Sequence, residues 1–95
     1  MGAIKKASEA EIEEALQGLE GWALHNEKLH RELKFSDFLE AFAFMGEVAA
    51  EAEMMNHHPE WFNVYNKVTI DLTTHEAGGI SSRDFELAQK INELL

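Results

Sequence analysis

The chain has 95 residues, of which 45% are hydrophobic, so we expect one soluble domain over residues 1–95 with a modest core. Its 18 acidic and 8 basic residues give a formal net charge of -10, and such a surface disfavours direct binding of nucleic acid. The absence of cysteine excludes disulfides, thiol catalysis and thiolate metal sites. No apolar run is long enough to span a membrane, and the first residues lack the apolar core of a signal peptide, so we expect a cytoplasmic protein.

The first predicted element is a short helix that follows a lead-in, residues 1–7, which we expect to be loose. Ser8 and Glu11 form a capping-box pattern, in which each side chain satisfies a free backbone N–H at the start of a helix. Gly18 and Gly21 are typical of a helix end. The pattern therefore predicts a helix of about ten residues, whose apolar face carries Ile12, Ala15, Leu16 and Leu19.

Two strand-like runs come next, residues 22–25 and 29–35, and the polar residues 26–28 between them make a connection of hairpin length. The second run alternates between apolar and polar side chains, as a strand with one buried face does. We predict an antiparallel hairpin. We interpret His25 and His30, which fall in this hairpin, as capping or surface residues.

The longest predicted element is a helix that follows this hairpin. Ser36 is the expected N-cap, with Asp37 in the first turn, where the helix dipole favours a negative charge. An apolar stripe at steps of three and four then runs for about five turns; it consists of Phe38, Phe42, Met45, Ala49, Ala52 and Met55. Small residues beside the stripe would allow another helix to pack closely, namely Ala43, Gly46 and Ala50.

A second hairpin is predicted after Pro59. Residues 61–64 and 67–74 are rich in aromatic and β-branched side chains, and Tyr65 and Asn66 between them favour a tight turn because asparagine tolerates positive φ. The alternative, one strand of about fourteen residues, is longer than strands usually are.

The last helix has a cap and a hydrophobic staple at its start. Ser81 is the expected N-cap, Asp84 occupies the third helical position, and Ile80 is expected to pack on Phe85. The core face is expected to carry Phe85, Ala88, Ile91 and Leu95. The order helix, strand, strand, helix, strand, strand, helix predicts an α+β fold: a two-layer sandwich with a four-stranded antiparallel sheet and three helices on one face.

Three of the five histidines stand at the ends of predicted elements. His57 and His58 precede the proline that must end the long helix, and His75 follows the last strand-like run. If the second hairpin turns on residues 65–66, each step outward keeps the sum of paired positions constant, so His57 falls opposite Thr74. We therefore expect the three imidazoles to lie close together.

This histidine cluster favours acid–base chemistry. The carboxyl end of a helix favours an imidazolium, and Glu53, one turn earlier, favours it further if the helix extends that far. A histidine that donates a proton at neutral pH is a general acid. A purely structural role and a metal site remain as alternatives, since three histidines and a carboxylate are adequate zinc ligands. Against a metal, the adjacent His57 and His58 rarely aim at one ion, and no HExxH-like spacing is present.

The segments NHHPEWFNVYNKV and TTHEAGG, together with FSDFLEAFAFMGEVAAEAEMM before them, resemble the pterin-4a-carbinolamine dehydratases. This resemblance implies an enzyme that removes water from a 4a-hydroxytetrahydropterin to give quinonoid dihydropterin, in tetrahydrobiopterin recycling, without metal or organic cofactor. It also implies a homotetramer built from two dimers. Animal members of the family serve as the dimerisation cofactor of a homeodomain transcription factor, so binding of a protein partner through the helix face, with little or no catalysis, is the alternative function.

The family's pattern also implies roles for individual residues. His57 and His75 would protonate the leaving hydroxyl, and His58 would chiefly hold the pterin. The other residues expected to line the substrate site are Pro59, Thr74, Glu76 and Ala77. Those expected behind or beside it are Glu53, Trp61 and Asp84. Many relatives have aspartate where this chain has Asn56, which removes a carboxylate beside the first histidine.

Overall fold

The computed structural model describes residues 3–95. Its elements follow the predicted order, and three helices with one antiparallel sheet confirm the α+β class. In chain order they are α1 (Glu9–Gln17), β1 (Ala23–His25), β2 (Lys28–Lys34), α2 (Phe38–Met55), β3 (Glu60–Val64), β4 (Lys67–Leu72), a single 3-10 turn (His75–Ala77) and α3 (Ser82–Leu94). No helix in this part of the chain combines the length and the apolar character needed to cross a bilayer.

The four strands lie in the order β1-β2-β4-β3, and every neighbouring pair is antiparallel. Val64 pairs with Lys67, so the predicted turn on Tyr65 and Asn66 is confirmed, with Tyr65 at a φ of 51°. The first hairpin turns on two residues rather than three. Asn26 and Glu27 both have positive φ, 51° and 62°, as a tight hairpin turn requires.

The core lies between the sheet and the three helices. Every second residue of β4 is buried, as expected for a strand with one covered face. The fully buried large apolar side chains come from both layers: Leu29, Val68, Ile70 and Leu72 from the sheet, and Val48, Leu87 and Ile91 from the helices.

Helix α2 turns only part of the predicted stripe toward this core: Ala52 is buried, and Met45 and Met55 are half-buried against it. Its buried residues are Ala41, Phe44, Val48 and Ala52, whereas Phe38 and Phe42 are 48% and 57% exposed and Ala49 is exposed. Both sets follow helical spacing, so periodicity alone could not select between them. The result is an apolar face of α2 that nothing in residues 3–95 covers.

The capping boxes of α1 and α3 are confirmed, with Ser8 and Glu11 at the first and Ser81 and Asp84 at the second. The predicted N-cap of α2 was wrong by one residue. Asp37, not Ser36, caps this helix through a 2.8 Å bond from the Glu40 backbone N–H to its side chain. Aspartate and serine are equally good caps, so the sequence left the choice open.

Two terminal expectations also differ from the structure. The lead-in is tied down at its end, because Lys6 forms a β-bridge with Ser81 and the Ala7 N–H donates to the Ile80 carbonyl at 2.7 Å; Met1 and Gly2 lie outside the described residues. At the other terminus Leu95 is 54% exposed. Leu87, which the prediction omitted, is buried in the core instead.

Candidate active site

Each of the three predicted site histidines has its Nε2 within hydrogen-bonding distance of a carboxylate oxygen. The pairs are His57 with Asp84 at 2.6 Å, His58 with Glu53 at 2.9 Å and His75 with Glu60 at 3.0 Å. An ionised carboxylate only accepts hydrogen bonds, so the proton of a neutral ring lies on Nε2. The remaining nitrogen, Nδ1, is then the atom available to a substrate or water.

The end of α2 determines where His57 lies. Asn56 adopts the left-handed conformation, with φ 52° and ψ 42°, and its N–H donates to the Glu53 carbonyl at 3.1 Å. The His57 N–H donates to the Ala52 carbonyl at 3.0 Å. These two bonds are those of a Schellman motif, which commonly directs the residue after the left-handed one back against the helix. His57 is accordingly buried, 6% exposed, and the helix ends at Met55, four residues before Pro59.

Asp84 links His57 to the start of α3. It is fully buried, and its Oδ1 faces the imidazole. Its Oδ2 accepts from the Ser81 backbone N–H at 2.9 Å and from the Thr74 hydroxyl at 2.8 Å. The N-terminus of a helix favours a carboxylate at this position. The residue that completes the capping box therefore also holds the imidazole. The strand pairing ends at Glu60 and Asp71, so His57 is not paired with Thr74 as expected, but both side chains contact Asp84.

The accessible part of His57 includes its other ring nitrogen. Nε2 is engaged with Asp84, and within residues 3–95 Nδ1 has no hydrogen-bond partner. No fully buried polar side-chain atom in the same residues lacks a partner, so Nδ1 must reach the surface. A buried imidazole with one nitrogen held and the other not fully shielded from solvent is suited to exchange a proton with a bound molecule.

His58 and His75 lie at the surface. The side chains of His58 and Glu53 are 58% and 81% exposed. His75 is part of the 3-10 turn, and its side chain is 81% exposed. Beside it lies an open cleft of about 360 Å³ between residues 26–28 and the loop that contains Thr73 and Gly78. The carboxylates that contact the three rings therefore lie on three different elements: α3 for His57, α2 for His58 and β3 for His75.

The carboxylate of Glu60 has a second partner, which the sequence analysis did not identify. The Lys28 Nζ lies 2.5 Å from Glu60 Oε1, while Glu60 Oε2 faces His75. The hydrogen bond from Lys28 lowers the pKa of Glu60, and the carboxylate in turn raises the pKa of Lys28. Lys28 is the first residue of β2, and Glu60 follows Pro59 at the start of β3. Their contact depends on the strand order β2-β4-β3, which no local sequence pattern encodes.

The remaining predicted site residues are distributed around these pairs. Pro59 is half-buried between His58 and β3, and Trp61 is half-buried and packs against the core. Glu76 is exposed and Ala77 half-buried in the 3-10 turn. Within residues 3–95, no three histidine, aspartate or glutamate side chains are grouped so that they could hold a metal ion.

His30 differs from its interpretation as a surface residue. Its side chain is 18% exposed, and its two ring nitrogens contact Asp71 at 2.7 Å and Glu32 at 2.9 Å. The hydrogen bonds to Glu32 and Asp71 raise the pKa of His30. The His25 ring lies beside it, with a centroid distance of 4.8 Å. Because Asp71 is the cross-strand partner of His30, this contact could not be inferred without the register.

Comparison with known proteins shows the family to which the chain belongs. The family described as Pterin 4 alpha carbinolamine dehydratase matches residues 5–94. Two proteins named "Putative pterin-4-alpha-carbinolamine dehydratase" are similar to the chain: one from Solibacter usitatus (strain Ellin6076), 61% identical over 89 residues and 94% of each chain, and one from Rhizobium leguminosarum bv. trifolii (strain WSM2304), 46% identical over 92 residues, 95% of this chain and 91% of that one.

A solved structure is similar over the whole fold. The crystal structure of a transcriptional coactivator/pterin dehydratase from Brucella melitensis matches with a TM-score of 0.92 and 42% identity, and the match covers 95% of this chain and 98% of that one. The chain belongs to the pterin-4-alpha-carbinolamine dehydratase family.

Proposed function

We propose that the protein removes water from 4a-hydroxytetrahydropterin to give quinonoid dihydropterin, as a step in tetrahydropterin recycling, with tetrahydrobiopterin as the parent compound. The observation that carries this proposal is the buried pair of His57 and Asp84, in which one ring nitrogen is held and the other reaches the surface. Membership of the family supports the substrate class.

The reaction breaks one C–O bond and forms one C=N bond. The proton of an imidazolium moves to the leaving hydroxyl, which departs as water, because hydroxide itself is a poor leaving group. The electron pair of the neighbouring ring nitrogen forms the C=N bond, and that nitrogen loses its proton to a neutral histidine or to water. One proton is consumed and one released, so the enzyme ends unchanged. A positioned acid typically contributes about 10²- to 10⁴-fold to such a rate.

The carboxylates orient the histidine rings, because each ring has its Nε2 at a carboxylate oxygen. Asp84 accepts a hydrogen bond from Nε2–H of His57 and would supply the counter-charge for the imidazolium that the mechanism requires. His57 and His75 are the proposed acids, and His58, exposed beside Glu53, is proposed to hold the pterin. The Thr74 hydroxyl is committed to Asp84, so we propose that it acts through that carboxylate. Pro59, Glu76 and Ala77 remain proposed lining residues.

Glutamine variants of the two acids test this mechanism. Glutamine keeps an N–H donor for Asp84 but cannot act as an acid at neutral pH. The His57→Gln, His75→Gln double variant is expected to lose about 10²-fold or more of the dehydration rate, while circular dichroism shows a retained fold. His25→Gln, an exposed histidine outside the proposed site, is the matched control and should remain active. A double variant as fast as the wild type would exclude the two histidines as acids.

The exposed face of α2 supports a second role, that of a packing surface. Phe38, Leu39 and Phe42 are 48%, 77% and 57% exposed, and one turn later a Cβ added at Gly46 would meet no atom within 4 Å. Small residues next to large apolar ones allow two helices to approach closely. We propose that a second copy of this chain covers the face and that such contacts build a dimer of dimers. The Brucella melitensis protein is described as a coactivator as well as a dehydratase, so a different protein on this face is the competing outcome.

Sedimentation of charge variants distinguishes these two occupants. Phe42→Glu should dissociate the assembly, because burying an unpaired carboxylate in a helix contact is costly. Phe62→Glu, at a phenylalanine that is 67% exposed on β3, is the matched control and should leave the assembly unchanged. If the wild type sediments as a monomer at micromolar concentration, a second copy does not cover the face, and a different protein becomes the favoured occupant.

A further inference from the structure

His75 is the least constrained of the three histidines by its own segment. It begins a single 3-10 turn, His75–Ala77, and its side chain is 81% exposed. The backbone of this segment is closed by a β-bridge between Thr74 and Gly79 and by a 3.0 Å bond from the Gly78 N–H to the His75 carbonyl. These bonds hold the backbone but not the imidazole, and a side chain exposed to this degree retains most of its rotamer freedom.

Glu60 supplies the missing restraint from the sheet. It is the first residue of β3 and pairs with Asp71 of β4, so its backbone is held by the sheet. Its Oε2 lies 3.0 Å from Nε2 of His75. A carboxylate at this distance selects the tautomer with the proton on Nε2 and limits rotation of the ring.

Lys28 fixes the carboxylate in turn. It is the first residue of β2, separated from β3 by the central strand β4, and its Nζ lies 2.5 Å from Glu60 Oε1. One oxygen of Glu60 thus faces the ammonium and the other faces the imidazole. Lys28 and His75 also border the same open cleft, of about 360 Å³.

We infer that Lys28 and Glu60 form a positioning pair, which sets the tautomer and direction of His75 from across the sheet and leaves Nδ1 of that ring for the substrate. This inference rests on the proposed function, in which His75 is an acid. Neither residue needs to touch the substrate to have this effect. The Lys28–Glu60 pair thus orients the ring of His75 as Asp84 orients the ring of His57.

The charge of the pair gives it a pH signature. Lys28 lowers the pKa of Glu60 from its ordinary value of 4.5. Replacing Lys28 with methionine therefore lets Glu60 take up a proton at a higher pH. The positioning of His75 is lost when Glu60 is protonated, so in Lys28→Met the decline of kcat/KM on acidification is expected to begin at a higher pH than in the wild type. Lys28→Arg keeps the positive charge and should restore the wild-type profile.

The test compares Lys28→Met, Lys28→Arg and Glu60→Gln in the full chain with Lys90→Met. Lys90 is a matched control, because its side chain is as exposed as that of Lys28 and it pairs with Glu51, at 3.5 Å, between α2 and α3. We expect kcat to fall about 3- to 10-fold in Lys28→Met and Glu60→Gln, less than removal of an acid itself would cause, with KM little changed. Lys28→Arg and Lys90→Met should behave as the wild type.

Imidazole ¹⁵N spectra of His75 supply a readout that is independent of activity. The wild type should show the tautomer with the proton on Nε2, and Glu60→Gln a mixture of the two. If the spectra change in this way but the wild type does not dehydrate the pterin, the proposed function fails while the positioning of His75 stands. If the wild type is active and Lys28→Met matches Lys90→Met in rate, pH profile and spectrum, the positioning pair is overturned and the proposed function is untouched.

Discussion

Asp84 Oδ1 lies 2.6 Å from Nε2 of His57, so a residue of the α3 capping box holds a histidine that follows α2. The carboxylate is fully buried and accepts two further hydrogen bonds on Oδ2. Its removal therefore affects both the stability of the fold and the state of the imidazole.

Asp84→Asn should show both effects, which two different measurements report. The asparagine amide can offer only one acceptor oxygen, so either His57 or the Ser81 N–H loses its partner, which costs about 1–3 kcal/mol in the free energy of unfolding. Dehydration should slow about tenfold or more, because the imidazolium loses its counter-charge. Urea unfolding measures the loss of stability, and initial rates of dehydration measure the loss of activity. The control is Asp37→Asn, since asparagine caps a helix as well as aspartate does; equal effects of both variants would contradict the special role of Asp84.

The three site histidines are expected to differ in their contribution to stability. His57→Ala leaves a buried carboxylate oxygen without a donor and should lower the free energy of unfolding by about 1–3 kcal/mol. His58 and His75 have side chains that are 58% and 81% exposed, so their alanine variants should remain within about 0.5 kcal/mol of the wild type. Denaturant titration of the three variants checks the order, and a His75→Ala protein as unstable as His57→Ala would be inconsistent with it.

Asn56 is predicted to act through the backbone and not through its side chain. Its φ of 52° is readily adopted by asparagine and glycine, so Asn56→Ala should cost about 1 kcal/mol and Asn56→Gly very little. Asn56→Asp restores the carboxylate that the family resemblance places here, but Asp84 already holds His57. We expect dehydration by Asn56→Asp to match the wild type. A clear gain in kcat would mean that the neighbouring carboxylate matters to the acid.

His30 should make stability depend on pH. Glu32 and Asp71 raise its pKa above the ordinary value of 6.5 in the folded protein. The imidazolium contribution is therefore fully present below about pH 6.5 and is lost as the pH rises through the raised folded-state pKa. The melting temperature of the wild type should fall as the pH rises from 6 to 9. This fall should be absent in His30→Gln and present in His25→Gln. A decline that is identical in His30→Gln would place its origin elsewhere.

Local patterns accounted for most of the fold. The capping boxes at Ser8 and Ser81 and the turn at Tyr65 were predicted because each depends on residues within a few positions of one another. The exposed apolar face of α2 was not predicted. Apolar residues at helical spacing lie on more than one face of this helix, and only its packing against the sheet and α3 determines which face is buried. The fold was therefore more predictable than the surface that it exposes.

The sequence could propose the candidate histidines and the carboxylate beside His58, whereas Glu60 beside His75 was not identified. His57, His58 and His75 could be proposed from their places at element ends. The constant sum of paired positions placed His57 opposite Thr74, but the strands stop pairing at Glu60 and Asp71, and His57 and Thr74 are linked through Asp84. The contact of Lys28 with Glu60 depends on β4 lying between β2 and β3. Strand order is a property of the whole domain, so the sequence contained these residues without indicating that they meet.

The most direct test of the central proposal is the dehydration rate of chemically generated 4a-hydroxytetrahydropterin, followed by ultraviolet absorbance with and without the purified, chelator-treated protein. We predict a clear acceleration that survives the chelator and falls about 10²-fold or more in the His57→Gln, His75→Gln variant. A folded wild-type protein that gives no acceleration would contradict the proposed dehydratase, and an acceleration lost with the chelator would contradict the histidine mechanism.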